Sequence, residues 1–527
     1  MANPSLQIGN GKFAIKENDL LGYSSSGAKF FPIPITMTRA TLGSRVNPSG
    51  LIEDVELLGS ELIQDSDFLL TGTQAENVTG TYWTTGTGWT ISGGTANCDG
   101  SQTSGTQLTQ TGLTFTNTKT YKVTYTVTVS AGNIDARLQG GGATVTGTSR
   151  TSSGTYTDYL ISTGNTSFRM RGNDAFIGTV DNVSVKEATI DGLARVDYTD
   201  GTGSLLVEPQ RTNLVTYSED FSQSFWTKSS VTLTTGFVAP DGTTNASKLV
   251  STGADGSMQN SYTVSSGTTY TISVYLKTVS GTLDTTIGLG SPGFPQNEGT
   301  GGRYKNITVT NEWQRYSLTS TADSSAASGV GFGGFSGFST GEEVLIWGIQ
   351  LEEGSYATSY IKTQGSTVTR NQDEYTKTGI SDKINSEEGV LFAEVAVLSD
   401  DSTLKSITLS DSSTANRVII NYSNASNRLT ADVRLGGVGQ AFMQTFSYTI
   451  TNFLKIALKY KENDFALWVN GTEVATDTSG STFTANTLNR LGFDNGGSGE
   501  LLFSKVRQVQ VFKTALSDSE LATLTTI

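Results

Sequence analysis

The sequence predicts an all-β chain of tandem β-sandwiches preceded by an extended N-terminal arm. Glycine occurs 60 times, Thr and Ser are spread throughout, and charged residues make up only 16%. β-Branched Thr suits a pleated surface and Gly supplies the positive-φ positions of tight turns, so this mixture favours short strands over long helices. Strict alternation recurs, as in Tyr121-Lys122-Val123-Thr124-Tyr125-Thr126-Val127 and Tyr270-Thr271-Ile272-Ser273-Val274-Tyr275-Leu276, and period two marks half-buried strands. At 527 residues the chain is far longer than one ordinary core, which points to two to four domains.

Residues 1–57 read as the arm. Phe30-Phe31-Pro32-Ile33-Pro34-Ile35 spaces two prolines where a central strand tolerates none. Residues 1–50 carry Lys12, Lys16, Lys29, Arg39 and Arg45 against Glu17 and Asp19, a basic stretch in a chain of net charge −14. Opposite charge on arm and body suggests docking on another subunit, against local fluctuation as the plain alternative.

Residues 58–190 and 191–373 look like two versions of one unit. The first opens at Leu62-Ile63 with Phe68 nearby, the second at Asn213-Leu214 with Phe221 and Trp226. From Ile63 to Tyr121 is 58 residues and from Leu214 to Tyr270 is 56. Val180-Asp181-Asn182-Val183-Ser184-Val185 closes the first unit, and Val344-Leu345-Ile346-Trp347-Gly348-Ile349-Gln350-Leu351 the second. The lead-ins rhyme as well, Ser44-Arg45-Val46-Asn47 before one and Ala194-Arg195-Val196-Asp197 before the other, and read as straps between domains. Residues 374–527 form a third domain centred on a hairpin, Leu454–Tyr460 and Phe465–Val469 about a turn at Lys461-Glu462-Asn463-Asp464. Ser517 with Glu520 three residues on is the one convincing helix start, a capping box.

Composition excludes several classes. No histidine is present, which removes His-based triads, His general acid–base steps and almost every catalytic zinc site and leaves only carboxylate chemistry. Cys98 is the single cysteine, so no intramolecular disulfide is expected and assembly is a plausible source of stability. The start lacks a basic stretch followed by an apolar run, and no run of about 18 apolar residues occurs, so neither a signal peptide nor membrane insertion is expected. Lys and Arg are not clustered as phosphate contacts require, and nucleic acid is not an expected partner.

Gly203-Ser204-Leu205-Leu206-Val207-Glu208-Pro209-Gln210-Arg211-Thr212-Asn213-Leu214, with Tyr217-Ser218-Glu219-Asp220-Phe221 and Trp226, resembles bacteriophage virion proteins that carry carbohydrate-binding-like jelly rolls. Gln350-Leu351-Glu352-Glu353-Gly354-Ser355-Tyr356-Ala357-Thr358-Ser359-Tyr360-Ile361 is similar to the closing strand and exit loop of the same modules. The last domain resembles concanavalin A-like (laminin-G-like) lectin domains through Leu467-Trp468-Val469-Asn470-Gly471, Arg490-Leu491-Gly492-Phe493, Val509-Gln510-Val511-Phe512 and Ala515-Leu516-Ser517-Asp518-Ser519-Glu520-Leu521. The resemblance implies tandem jelly-roll sandwiches followed by a concanavalin A-like sandwich, in a tail-fibre, head-fibre or similar appendage on the phage particle, its arm a virion-docking element.

Glycosidases of the concanavalin-like class carry a Glu-x-Asp-x-x-Glu strand, and no such pattern occurs in this sequence. Glu352-Glu353 and Glu387-Glu388 are adjacent pairs whose side chains would leave a strand on opposite faces. No enzymatic activity is expected.

Trp83 and Trp89, in a Gly- and Thr-rich stretch, are candidates to stack on sugar faces or to plug the sandwich core. Asp494 and Asn495, in a Gly-rich loop after a strand, are candidates for ligand contact or plain turn residues. Asp67 and Asp181 resemble positions where jelly-roll modules hold a structural calcium, and read otherwise as ordinary surface carboxylates. Phe332, Phe335 and Phe338 recur every three residues among glycines and suggest an intersubunit patch or a strand with its turn. The expected function is binding of host-surface glycans during adsorption, the protein assembled as a homo-oligomer, by analogy a trimer, with weak sites multiplied by copy number. The alternatives are structural decoration of capsid or tail and, less favoured, a glycan-degrading depolymerase.

Overall fold

The computed structural model describes residues 2–9, 35–69, 82–299, 301–333 and 338–527, together with the backbone of three short strands, Ile15–Lys16, Asp19–Tyr23 and Phe30–Pro32. The chain separates into two compact units, residues 56–190 and the remainder. Each is built of antiparallel sheets, and one short helix, Asp518–Thr525, is present among the described residues. Among the described residues no helix is long and apolar enough to cross a membrane.

The smaller unit is a sandwich. Its central strand, Thr120–Ala131, buries every second residue over its first eight positions. Those side chains enter a core with Phe68, Trp83, Phe168 and Val185. The strand pairs on one side with Gly154–Ile161 and on the other with Ile177–Thr189. The facing sheet runs Val145–Thr146, Ile134–Gln139, Ser167–Gly172, Thr106–Thr111, Thr84–Thr85.

The larger unit contains a second sandwich whose strand order matches the first position by position. Ala246–Ser251, Glu343–Glu353, Thr269–Lys277 and Gln314–Thr321 form one sheet, with Val231–Phe237 at its edge. Thr227–Ser229, Ser257–Val264, Ala326–Gly333, Leu283–Gly288 and Tyr304–Val309 form the other. Local devices repeat too. The Tyr121 hydroxyl accepts the Thr116 N–H at 2.7 Å, and the Tyr270 hydroxyl accepts the Ser265 N–H at 3.1 Å, five residues upstream in both. Three residues before each Tyr the backbone turns left-handed, at Thr118 (φ 68°) and Gly267 (φ 80°). The closing strand of each sandwich bulges opposite the fourth residue after that Tyr, around Asn182 (φ 52°) and Gly348 (φ 62°). Gly and Asn are the residues that adopt αL at least cost, and the bulge re-aims the strand.

The rest of the larger unit is a third sandwich. One sheet holds Ser504–Phe512, Glu388–Val397, Leu454–Lys461, Phe465–Val469 and Thr472–Asp477 in that order. The other runs Val438–Thr445, Leu429–Leu435, Arg417–Tyr422, Lys405–Ser410, Arg490–Gly492, Glu374–Thr378, Thr36–Thr38. The expected hairpin forms, with Asn463 in the left-handed region at its turn. The helix covers the outer face of the first sheet, where Leu516 and Leu521 pack on Phe392, Ala457 and Trp468. Its start carries the expected reach-back, the Ser517 N–H donating to the Glu520 carboxylate at 3.0 Å.

Where the spaced prolines predict an extended arm, the described residues are instead woven into this third sandwich. Leu6–Gly9 pairs with Gln508–Val511, and Ser204–Val207 pairs with Ser504–Val506 along the same side of the same strand. Thr36–Thr38 adds an edge to the other sheet. Leu6, Ile8, Ile35, Met37, Leu205 and Val207 all enter its core. Apolar side chains at alternate positions, Leu6 and Ile8, carry this segment inward, and Pro32 closes the short strand Phe30–Pro32, opposite Leu21. Lys12, Lys16, Glu17 and Lys29 lie outside the residues whose side chains are described.

Candidate functional site

The strand Val438–Thr445 forms one edge of the seven-stranded sheet of the third sandwich. Ala441 and Met443 point into the core, which sends Gln440, Phe442 and Gln444 to the outer face by the period-two rule. Phe442 is 55% exposed, and Phe446, just beyond the strand, is 54% exposed. Opposite Phe442 on the next strand sits Asp432, and opposite Gln444 sits Thr430.

Charged groups frame these rings. Arg428 donates from Nε and Nη2 to the Gln444 amide oxygen at 3.2 and 3.0 Å, and its guanidinium lies 5.7 Å from the Phe446 ring centre. Asp432 is held by Arg434 at 2.6 Å and by Arg417 at 3.6 Å. Exposed aromatic faces beside amide and guanidinium donors are what sugar rings stack on and hydrogen-bond to.

The remaining outer face of this sheet is closed over by the loop that follows Arg490–Gly492. Asp494 accepts from Arg490 Nη1 at 2.8 Å and from the Gly496 N–H at 2.8 Å. Asn495 accepts the Gly497 and Gly499 N–H groups at 3.0 and 3.2 Å, while its carbonyl accepts Arg417 Nη1 at 2.9 Å. Ser406 reaches Glu500 at 3.2 Å from beneath. Asp494 is buried, and both residues are spent on shaping the loop, so the expectation of ligand contact there gives way to the turn reading.

The other sequence candidates lie elsewhere. Trp83 is 2% and Trp89 4% exposed. Trp83 packs on Phe68 at 5.2 Å and donates its indole N–H to the Asp65 carbonyl at 3.1 Å, and Trp89 stacks on Phe176 at 5.7 Å. Both rings are core plugs, which corrects the sugar-stacking expectation: in so polar a stretch, the few large apolar groups are the ones the core requires. Phe332 and Phe338 meet edge to face at 5.2 Å inside the second sandwich. Those two rings therefore pack within their own core rather than between subunits; Phe335 lies outside the described residues.

Asp67 and Asp181 sit on neighbouring segments joined by the Val183 N–H to the Ser66 carbonyl at 2.8 Å. Asp181 accepts the Asn182 N–H at 2.7 Å. Among the described residues no three His, Cys, Asp or Glu groups converge. Calcium takes about six to eight oxygen ligands, so most of its shell there would come from backbone carbonyls and water.

Sequence reasoning passed over Phe442 and Phe446. Parity was the available signal: Phe442 alternates in step with Gln440 and Gln444, which places it on the polar face. It also passed over a buried ionic cluster in the larger unit, where Arg39, Arg195 and Arg370 meet Glu208 and Asp373. Glu208 accepts from Arg195 at 2.6 Å, from Arg370 at 2.9 Å and from the Ser359 N–H at 2.7 Å. Burial would raise its pKa, but the two arginines and Ser359 outweigh that and hold it at about 2. The residues that motivated the virion-protein resemblance, Glu208, Ser359 and their neighbours, thus serve to lock a junction.

Residues 393–522 match the family model of the concanavalin A-like lectin/glucanases superfamily. No curated protein matches the chain. A solved structure described as an apo Crh5 transglycosylase is 15% identical over 28% of this chain and 73% of that chain, with a TM-score of 0.20. At that score the likeness carries no argument about activity.

Proposed function

With residues 393–522 a concanavalin A-like lectin/glucanase domain, we propose that the protein binds glycans without cleaving them, through the outer face around Phe442 and Phe446. The exposed Phe442 in step with two glutamines is the observation that carries this reading. Cleavage is disfavoured because the carboxylates described on this face are committed: Asp432 is tied to two arginines and Asp494 to a third.

The same reading makes the chain an appendage of a phage particle, docked on other virion proteins and present in several copies, by analogy three. Supporting it are the resemblance at residues 203–226 and 350–361 and the two sandwiches of matching strand order, which suit a spacer. Repetition on a particle turns weak sites into firm attachment.

The test is binding of the full chain to a glycan array and to intact candidate host cells, alongside Phe442→Ala. Residues 374–527 alone would lack Leu6, Ile8, Leu205 and Val207 from their core, so the intact chain is the species to use. Dose-dependent binding that Phe442→Ala weakens about tenfold supports the reading. Absence of binding by a multivalent display of the chain would favour a purely structural decoration.

A further inference from the structure

A cleft of about 660 Å³ opens in the larger unit, beside the second sandwich and away from the Phe442 face. Its volume falls in the range of small-molecule sites. Tyr275 and Arg315 stand opposite each other on adjacent strands, and Lys277 and Trp313, two residues further along the two segments, line the same cleft. The Arg315 guanidinium lies 5.4 Å from the Tyr275 ring centre.

The charges there are unevenly matched. Glu208 and Asp197, the two carboxylates of the lining, are committed: Glu208 to Arg195 and Arg370, and Asp197 to the Val46 and Thr199 N–H groups and to Lys505 at 3.5 Å. Arg45 is neutralised by Glu53 at 2.7 Å. Lys277 and Arg315 have no carboxylate partner among the described residues. Arg315 is oriented by neutral acceptors alone, the Ser273 hydroxyl at 2.8 Å and the Thr358 carbonyl at 2.5 Å. In a chain of net charge −14, two unpaired cations facing one cleft beside Trp and Tyr rings are a specific arrangement rather than background.

We propose that this cleft binds an acidic saccharide, the carboxylate of a uronic or sialic acid residue pairing with Lys277 and Arg315 while its ring packs on Trp313. The site is independent of the Phe442 face, so either can fail without the other. Planar guanidinium recognises carboxylate with directed hydrogen bonds, and aromatic stacking adds the apolar half of sugar recognition.

The experiment is calorimetric titration of the full chain with oligogalacturonate, hyaluronan oligosaccharides and sialyllactose, each beside its carboxyl-reduced counterpart. At least one acidic saccharide is expected to bind at least tenfold more tightly than its reduced form, and the affinity should fall as salt is raised. Lys277→Ala and Trp313→Ala should each weaken it at least tenfold, Arg315→Lys should weaken it while keeping the charge, and Phe442→Ala should leave it unchanged. Unaltered thermal unfolding of Lys277→Ala checks the fold. Failure of every acidic saccharide to bind, binding that survives carboxyl reduction, or affinity indifferent to Lys277→Ala would each overturn the proposal.

Discussion

Arg39 and Asp373 lie 334 residues apart in sequence and 2.7 Å apart in space, both side chains wholly buried. Asp373 also receives the Glu208 N–H at 2.8 Å and a bond from Arg195, while Arg39 Nη2 donates to the Leu193 carbonyl at 3.1 Å. The cluster thus ties the N-terminal segment, the lead-in to the second sandwich and the entry to the third at one point. Removing Asp373 leaves the Arg39 charge away from water with only the Thr41 and Leu193 carbonyls as acceptors among the described residues. Asp373→Ala is expected to destabilise the larger unit by about 3–5 kcal/mol, read from urea unfolding with a probe specific to that unit.

Acid should loosen the same cluster. The Glu208 carboxyl is held at about 2 in the folded protein, below its ordinary value of 4.5. A depressed pKa contributes stability that is fully present above the unfolded value and is lost as pH falls through the folded one. The loss should therefore run from about pH 5 down to about pH 2 and amount to roughly 3 kcal/mol. Thermal unfolding across that window should show the larger unit losing stability, with a shallower slope in Glu208→Gln.

Trp83 and Phe442 make a contrasting pair. Trp83→Ala opens a cavity in a closed core and should cost about 3–5 kcal/mol. Phe442→Ala removes a ring already in solvent and should change stability by no more than about 0.5 kcal/mol, while weakening glycan binding about tenfold, the equivalent of about 1.4 kcal/mol. Denaturation and array binding on both variants separate the two roles.

The bulge in the second sandwich depends on a left-handed residue under two rings. A Cβ at Gly348 (φ 62°) would lie 3.2 Å from Tyr360 and 3.3 Å from Tyr275. Gly348→Ala is expected to cost about 1–2 kcal/mol, whereas Asn182→Gly at the matching place in the first sandwich should stay within about 0.5 kcal/mol. Unfolding midpoints of the two variants check this.

Deleting residues 2–9 should leave the backbone groups of Gln508–Val511 unpaired on that side and remove Leu6 and Ile8 from the core. An uncovered edge recruits other chains. Light scattering should show self-association of the truncated protein at concentrations where the full chain stays dispersed.

Much of the architecture is written locally. The alternation of Tyr121–Val127 and Tyr270–Leu276, the hairpin turn at Asn463 and the Ser517–Glu520 reach-back are short-range patterns, and each forms as its residues dictate. The duplicated sandwich was legible in landmarks and spacing, and the matching bulges at Asn182 and Gly348 deepen it. What stayed hidden is long-range. Nothing near Leu6 or Leu205 says that both pair with one strand some three to five hundred residues away. Nor does composition near Trp83 tell an exposed ring from a buried one. At the outer face the signal was present but faint, since Phe442 reads as polar-side only once Ala441 and Met443 are taken as inward.

The pairing of Leu6–Gly9 and Ser204–Val207 along Ser504–Phe512 bears on how the chain is made. A ribosome delivers the first of these strands hundreds of residues before the strand that must receive it. The described strands of residues 56–190 pair with one another and can close while synthesis continues. The third sandwich has to wait, its earliest strand unmatched, until the final few dozen residues emerge. Loop closure over so great a separation is slow. A polypeptide interrupted before Ser504 would thus carry two closed sandwiches and a third with open apolar edges, so completion of synthesis itself acts as the checkpoint for assembly.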